Sequence, residues 1–276
     1  MRLFRNSVFS IANLFGFMIG VAMFGAMIFI PVYLQVVDGM SPTRSGLAML
    51  PMVVGIFTTS IGAGQLMSRN GRYKIYPILG ASIVTVALVL LSRLDSDTPY
   101  WVAGLSMFAM GLGLGFTMQV LVVVVQNSVD RSDMGVATAS VAFFRQMGGS
   151  FGTALFGAIL SSRLAVHLAD AMRDAPAGTS PAVLGNPDGL ANDVQAIQDL
   201  PGPLNDLVTG AFSNALHDMF LSAVPLVLVA LAVALFLKEI PLGTRQDQAP
   251  AGSSPTAESR PEASSGSAAG SPTASA

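Results

Sequence analysis

Residues 8–37 read VFSIANLFGFMIGVAMFGAMIFIPVYLQVV, thirty consecutive positions without a charged side chain. A helix rises 1.5 Å per residue, so about 20 apolar residues cross a hydrocarbon core of about 30 Å. This stretch is long enough to cross with room for tilt. Working outward, the windows 45–68, 75–92, 98–129, 134–162 and 219–237 have the same character, and the six windows together contain one charged residue, Arg145. Charged residues are 11% of the chain and hydrophobic ones 52%, where roughly 25% charge is usual in soluble domains. The pattern predicts an all-α membrane protein with six transmembrane helices within residues 1–240. It excludes a soluble enzyme or a nucleic-acid binder, and a net charge of −2 offers nothing to a polyanion.

The amino terminus is similar to a signal peptide only at first sight. Arg2 and Arg5 precede an apolar run, but that run reaches Leu34, well past the ~7–15 residues of a signal core. It reads as an uncleaved first span. Lys and Arg near span ends fix the orientation, because cytoplasmic loops carry the excess. One side carries Arg2, Arg5, Arg69, Arg72, Lys74, Arg131, Lys238 and Arg245; the other carries Arg44, Arg93, Arg163 and Arg173. Both termini are therefore expected in the cytoplasm. Local signals agree: Ser41-Pro42 opens the second helix, Asn70-Gly71 closes it, and Tyr100-Trp101 sit at the outer end of the fourth. Pro31, Pro51 and Pro225 lie inside their windows and are expected to kink them. Residues 163–217 are expected to form an outer loop. Within it Leu204, Leu207, Val208, Ala211, Phe212, Ala215 and Leu216 recur at helical spacing and predict an amphipathic helix leading into the last span. The tail, 241–276, is rich in Ser, Ala, Pro and Gly and is expected to be disordered in the cytoplasm.

Enzymatic chemistry finds little footing. Cysteine is absent, which removes disulfides, thiolate catalysis and cysteine metal sites. Both histidines, His167 and His217, fall in the expected outer loop, and no Asp or Glu lies inside a window. No H-E-x-x-H run exists for zinc, and no metal or cofactor is expected. Gly111-Leu-Gly-Leu-Gly115 sits mid-span without a preceding strand and reads as close helix packing, not as a phosphate loop. The same small-residue spacing recurs at Ala12, Gly16 and Gly20 and at Gly148 and Gly152. Arg145 lies about 12 residues into the fifth helix. Two placements fit it: a buried site facing a partner or water, or a snorkelling side chain if the helix projects into the cytoplasm. Asn13, Gln119, Gln126 and Gln146 are the other polar groups noted in the spans, each a helix-packing hydrogen bond or part of a polar-dotted cavity.

The loop between the second and third spans carries the most specific pattern: Gly64-Gln-Leu-Met-Ser68-Arg69-Asn70-Gly71-Arg72-Tyr73-Lys74. Here the chain resembles the major facilitator superfamily, whose signature loop is G-x-x-x-D-R-x-G-R-[RK]. Gly64, Arg69, Gly71 and Arg72 match, and Ser68 replaces the acidic residue. Pro31-Val-Tyr33-Leu34-Gln35, Gly39-Met-Ser41-Pro42, Gly46-Leu-Ala-Met-Leu-Pro51, Gly135-Val-Ala-Thr-Ala-Ser140 and Phe144-Arg-Gln-Met-Gly-Gly-Ser-Phe-Gly152 narrow the likeness. They resemble the fourteen-helix drug/proton antiporters of the EmrB/QacA type, and only the last six helices of that architecture.

The resemblance implies the carboxy-terminal half of a proton-coupled multidrug efflux transporter in the cell membrane. Such a protein exports small amphipathic, often cationic, drug-like compounds by alternating access, with protons as the coupled partner and the lipid bilayer around it. An amino-terminal half is then supplied by another chain or missing from this one. The resemblance further implies that spans one, two, four and five line the cavity and that three and six lie outside. It makes Tyr33, Gln35, Met118, Gln119 and Gln146 cavity-side candidates, with Asn13, Met49 and Arg145 beside them. Gly64, Arg69, Gly71 and Arg72 would form a cytoplasmic gate loop, and Gly16, Gly20, Gly111, Gly115, Gly148 and Gly152 the helix-packing positions. The alternative expectation is a truncated or accessory six-helix membrane subunit with no transport activity of its own.

Overall fold

The computed structural model describes residues 3–70, 73–95, 98–173, 197 and 202–237, the side chains of 68–70 and 203 excepted. Among them there is no strand. Seven α-helices follow in order: α1 (Ser7–Val36), α2 (Pro42–Ala48), α3 (Leu50–Asn70), α4 (Ile75–Ser92), α5 (Tyr100–Ser128), α6 (Met134–Arg173) and α7 (Gly202–Leu235). With α2 and α3 taken as one span, six stretches are long and apolar enough to cross a membrane. The tail at 241–276, most of the expected outer loop, Gly71 and Arg72 lie outside the described residues.

The helix ends are built from side chains named in the sequence. Asn6 caps α1: its Oδ1 accepts from the amides of Val8 at 3.0 Å and Phe9 at 3.5 Å. Its Nδ2 donates 2.7 Å to the carbonyl of Ser128, the last residue of α5. One amide thus satisfies orphan groups at the start of one helix and the end of another. Ser41 caps α2, its hydroxyl accepting from the Arg44 amide at 3.4 Å.

The second window does not kink at Pro51; it breaks at Met49. Proline has no N–H and its ring crowds the carbonyl four residues back. A new helix begins instead, with Pro51 in its first turn, and the amides of Met52 and Val53 turn to the Met49 carbonyl at 3.0 and 3.3 Å. The Ala48 carbonyl takes the Tyr100 hydroxyl, 2.9 Å away, as donor, so the break is repaired from the start of α5. Helices α1 and α7 continue through Pro31 and Pro225.

Helix α6 runs to Arg173 and α7 starts at Gly202, so the expected loop at 163–217 is helical at both ends. Leu160, Leu164 and Leu168 continue the buried stripe of α6, and Val208, Ala211, Phe212, Ala215 and Leu216 are buried along the beginning of α7. Apolar contact at helical spacing carries both helices past the predicted ends of their spans.

Helix α3 packs chiefly on α5, and α5 on α4. In turn α4 packs on α7, α7 on α6 and α1, and α1 on α6 and α5. Helix α1 is the most covered, with 61% of its most apolar window inside the bundle, against 28% for the second and fifth spans. Span hydroxyls are mostly satisfied within their own helix: Ser82 to Ile78, Thr85 to Ala81 and Ser106 to Val102, each at 2.8 Å. No water is then required where the hydrocarbon offers none.

Candidate functional site

Two seams set the levels at which side chains meet. On α1–α6, Gly148 abuts the Phe17 carbonyl and Gly20 abuts the Arg145 carbonyl, while a Cβ on Gly152 would sit 2.5 Å from the Val21 oxygen. On α3–α5, Gly111 abuts the Met52 carbonyl, and a Cβ on Gly115 would lie 2.5 Å from the Ile56 oxygen. An added Cβ on Gly16 would lie 2.8 Å from the flexible Leu121 side chain. Helices this close leave no room for a side chain at the crossing. Sequence reading missed Gly80 and Gly113, where an added Cβ on either would lie 2.8 Å from the other's carbonyl oxygen across α4–α5. The signal lay inside Gly111-Leu-Gly-Leu-Gly115: two residues turn a helix by about 200°, so the middle glycine serves the opposite neighbour.

The structure divides the predicted cavity residues into two groups. Near the α5–α6 connection, Gln126 Nε2 donates 3.1 Å to Thr138 Oγ1 and ties α5 to α6. Gln119 and Gln146 lie about two turns from that bond on their two helices, and both are exposed. Met118 and Arg145 are half-buried beside them. The Arg145 guanidinium has no hydrogen-bond or carboxylate partner among the described residues. Asn13 is buried; its Nδ2 donates 2.8 Å to the Phe9 carbonyl, and its Oδ1 has no partner. The second group lies some five turns away, at the opposite end of the bundle. Tyr33 is buried with its hydroxyl donating 3.0 Å to the Asp95 carbonyl. Gln35 and Met49 are half-buried, Met49 at the α2–α3 break. Asn13 and Tyr33, twenty residues apart on one helix, are separated by about 30 Å and do not share a site. Of the gate-loop residues, Gly64 lies on α3 and Arg69 in its last turn.

A polar cluster joining α4, α6 and α7 was not anticipated. His167 Nε2 lies 3.0 Å from Asp218 Oδ2, and Arg163 Nε is 3.7 Å from the same oxygen. The neighbouring His217 donates from Nδ1 to the Ser92 carbonyl at the end of α4. Ser213 reaches Asp95 Oδ1 at 3.4 Å. Consecutive residues of α7 thus bind α4 on one side and α6 on the other. The leucine stripe of α6 was the available signal that His167 is helical. Just beyond α1, burial pushes the Asp38 carboxyl up to about 6.

The uncovered faces differ in chemistry. Exposed positions on α4 are Ile75, Leu79, Val86 and Leu90, an aliphatic stripe suited to acyl chains. On α6 the exposed apolar side chains Phe143, Met147 and Phe151 are interleaved with the polar Gln146 and Ser150. An all-helical bundle with six helices long and apolar enough to cross a membrane has the architecture of a multi-pass membrane protein.

Comparison with known proteins makes the class specific. The Major Facilitator Superfamily profile matches residues 1–153, and the chain belongs to that family of membrane transport proteins. An uncharacterised MFS-type transporter of Mycobacterium tuberculosis is 42% identical over 252 residues, covering 90% of this chain and 35% of the relative. The multidrug transporter protein MdtP of Bacillus subtilis is 33% identical over 264 residues, covering 89% and 49%. A tetracycline resistance determinant of Streptomyces rimosus is 29% identical over 256 residues, covering 86% and 74%. The chain spans about a third to a half of the length of the first two.

Proposed function

We propose that this chain forms the carboxy-terminal six-helix half of a fourteen-helix drug/proton antiporter of the plasma membrane, with both termini cytoplasmic. The remaining helices come from the rest of the protein or from another chain. Together they move small amphipathic compounds outward in exchange for protons. In this reading α1, α3, α5 and α6 flank the path, α4 and α7 face lipid, and Gln119, Gln146 and Arg145 contribute its polar lining. Gly64, Arg69, Gly71 and Arg72 bias the cytoplasmic gate. The observation that carries the reading is the placement of two exposed amides, Gln119 on α5 and Gln146 on α6, beside the half-buried Arg145, whereas α4 exposes only aliphatic side chains. A bundle wholly surrounded by lipid has no use for exposed amides within its spans. The likeness to a multidrug transporter supports drug-like substrates.

The test is co-expression with an amino-terminal half and measurement of proton-driven dye efflux in inverted vesicles. The expected result is efflux that needs both halves. No efflux above that of the amino-terminal half alone would instead mark an accessory six-helix subunit.

A further inference from the structure

Two unsatisfied polar groups face the same seam. Phe17, Gly20, Val21 and Phe24 are the residues of α1 that meet α6, and their partners Arg145, Gly148, Gly149 and Gly152 form the matching stripe. The contacts advance together, from Phe17–Gly148 to Val21–Gly152, so the two helices run in the same direction. Asn13 precedes Phe17 by four residues, Gly20 by seven and Phe24 by eleven, which puts it on the stripe of α1 that faces α6. Arg145 precedes Gly148 by three residues and Gly152 by seven, on the stripe of α6 that faces α1. Counted from the Phe17–Gly148 contact, both lie inward, within one turn of each other.

Their chemistry is complementary. The Phe9 carbonyl can only accept, so the Asn13 amide bound to it is oriented with Nδ2 as donor and Oδ1 left over. Asn13 is 2% exposed, which bars bulk solvent from Oδ1. The half-buried Arg145 has five N–H donors and no acceptor among the described residues. Its backbone is fixed, because the Arg145 carbonyl is wedged against Gly20, so only the side chain can move.

We propose that Asn13 is a positioning residue for Arg145: the guanidinium swings along the α1–α6 seam and donates to Asn13 Oδ1, which holds the one cation of the spans inside the bundle. The inference does not depend on transport activity. A carboxylate at position 13 converts the hydrogen bond into a charge-assisted one, stronger and in favourable cases bidentate. Without Arg145 the same carboxylate is buried and alone.

The test uses the purified full chain in detergent, with unfolding midpoints for wild type, Asn13→Asp, Arg145→Gln and the double variant. The expected result is that Asn13→Asp holds or raises the midpoint when Arg145 is present, and lowers it by about 3 °C or more, or prevents folding, when residue 145 is Gln. The benefit of Asn13→Asp should also vanish on acidification through the carboxylate range, a dependence that simple packing does not produce. Equal loss in both backgrounds, or failure of Asn13→Asp to fold beside Arg145, overturns the proposal.

Discussion

At the scale of single residues, Asp38 offers the clearest response to pH. Burial raises its carboxyl to about 6 from an ordinary 3.8, so the folded state binds the proton more tightly than the unfolded chain. Stability is then gained as pH falls through that window and lost as pH rises through about 6. The variant Asp38→Asn should be more stable than wild type at pH 7. Its midpoint should lack the part of the pH response between about 4 and 6 that belongs to this group, which thermal unfolding across that range will read. Asn6 shows how much one short side chain accomplishes, joining the start of α1 to the end of α5. The bond to Ser128 was not legible in the sequence, because 122 residues separate the partners.

At the scale of elements, the seams decide geometry. Gly148 rests on the Phe17 carbonyl, and backbone cannot yield as a flexible side chain can. Gly148→Ala should therefore force α1 and α6 apart and cost about 1–3 kcal/mol. Gly46→Ala, where a Cβ meets nothing within 4 Å, should be close to neutral. Chemical unfolding of the two variants side by side distinguishes them. Charge-free windows revealed the spans because a bilayer excludes charge regardless of tertiary context. The ends of α6 and α7 were harder to read, since beyond the lipid a helix persists only if another packs on it. The Met49 break was half legible: Pro51 announced a disturbance, while its repair depends on Tyr100, half a bundle away in sequence. The candidate site was less legible than the fold. Amide and arginine positions could be marked, but their separation into two groups depends on which helices touch.

At the scale of the whole molecule, the proposed orientation assigns each helix end to a compartment. The chain has no cysteine, so introduced ones are read without background. Arg173→Cys, at the exposed end of α6, should react with a membrane-impermeant maleimide in intact cells. Arg131→Cys, exposed just before α6 begins, should react only after permeabilisation. The reverse pattern would place both termini outside.

Helix α6 has 40 residues, about 60 Å of rod in a membrane whose hydrocarbon is about 30 Å thick. Its carboxy-terminal portion is clasped to α7 by His167 and Asp218, so the pair behaves as a stiffened lever with its fulcrum in the lipid. Each 10° of tilt within the bilayer moves the far tip by on the order of 5 Å over the remaining ~30 Å. A spectroscopic label near Arg173 would then serve as a mechanical amplifier, registering from the aqueous side angular changes too slight to resolve among the packed glycines below.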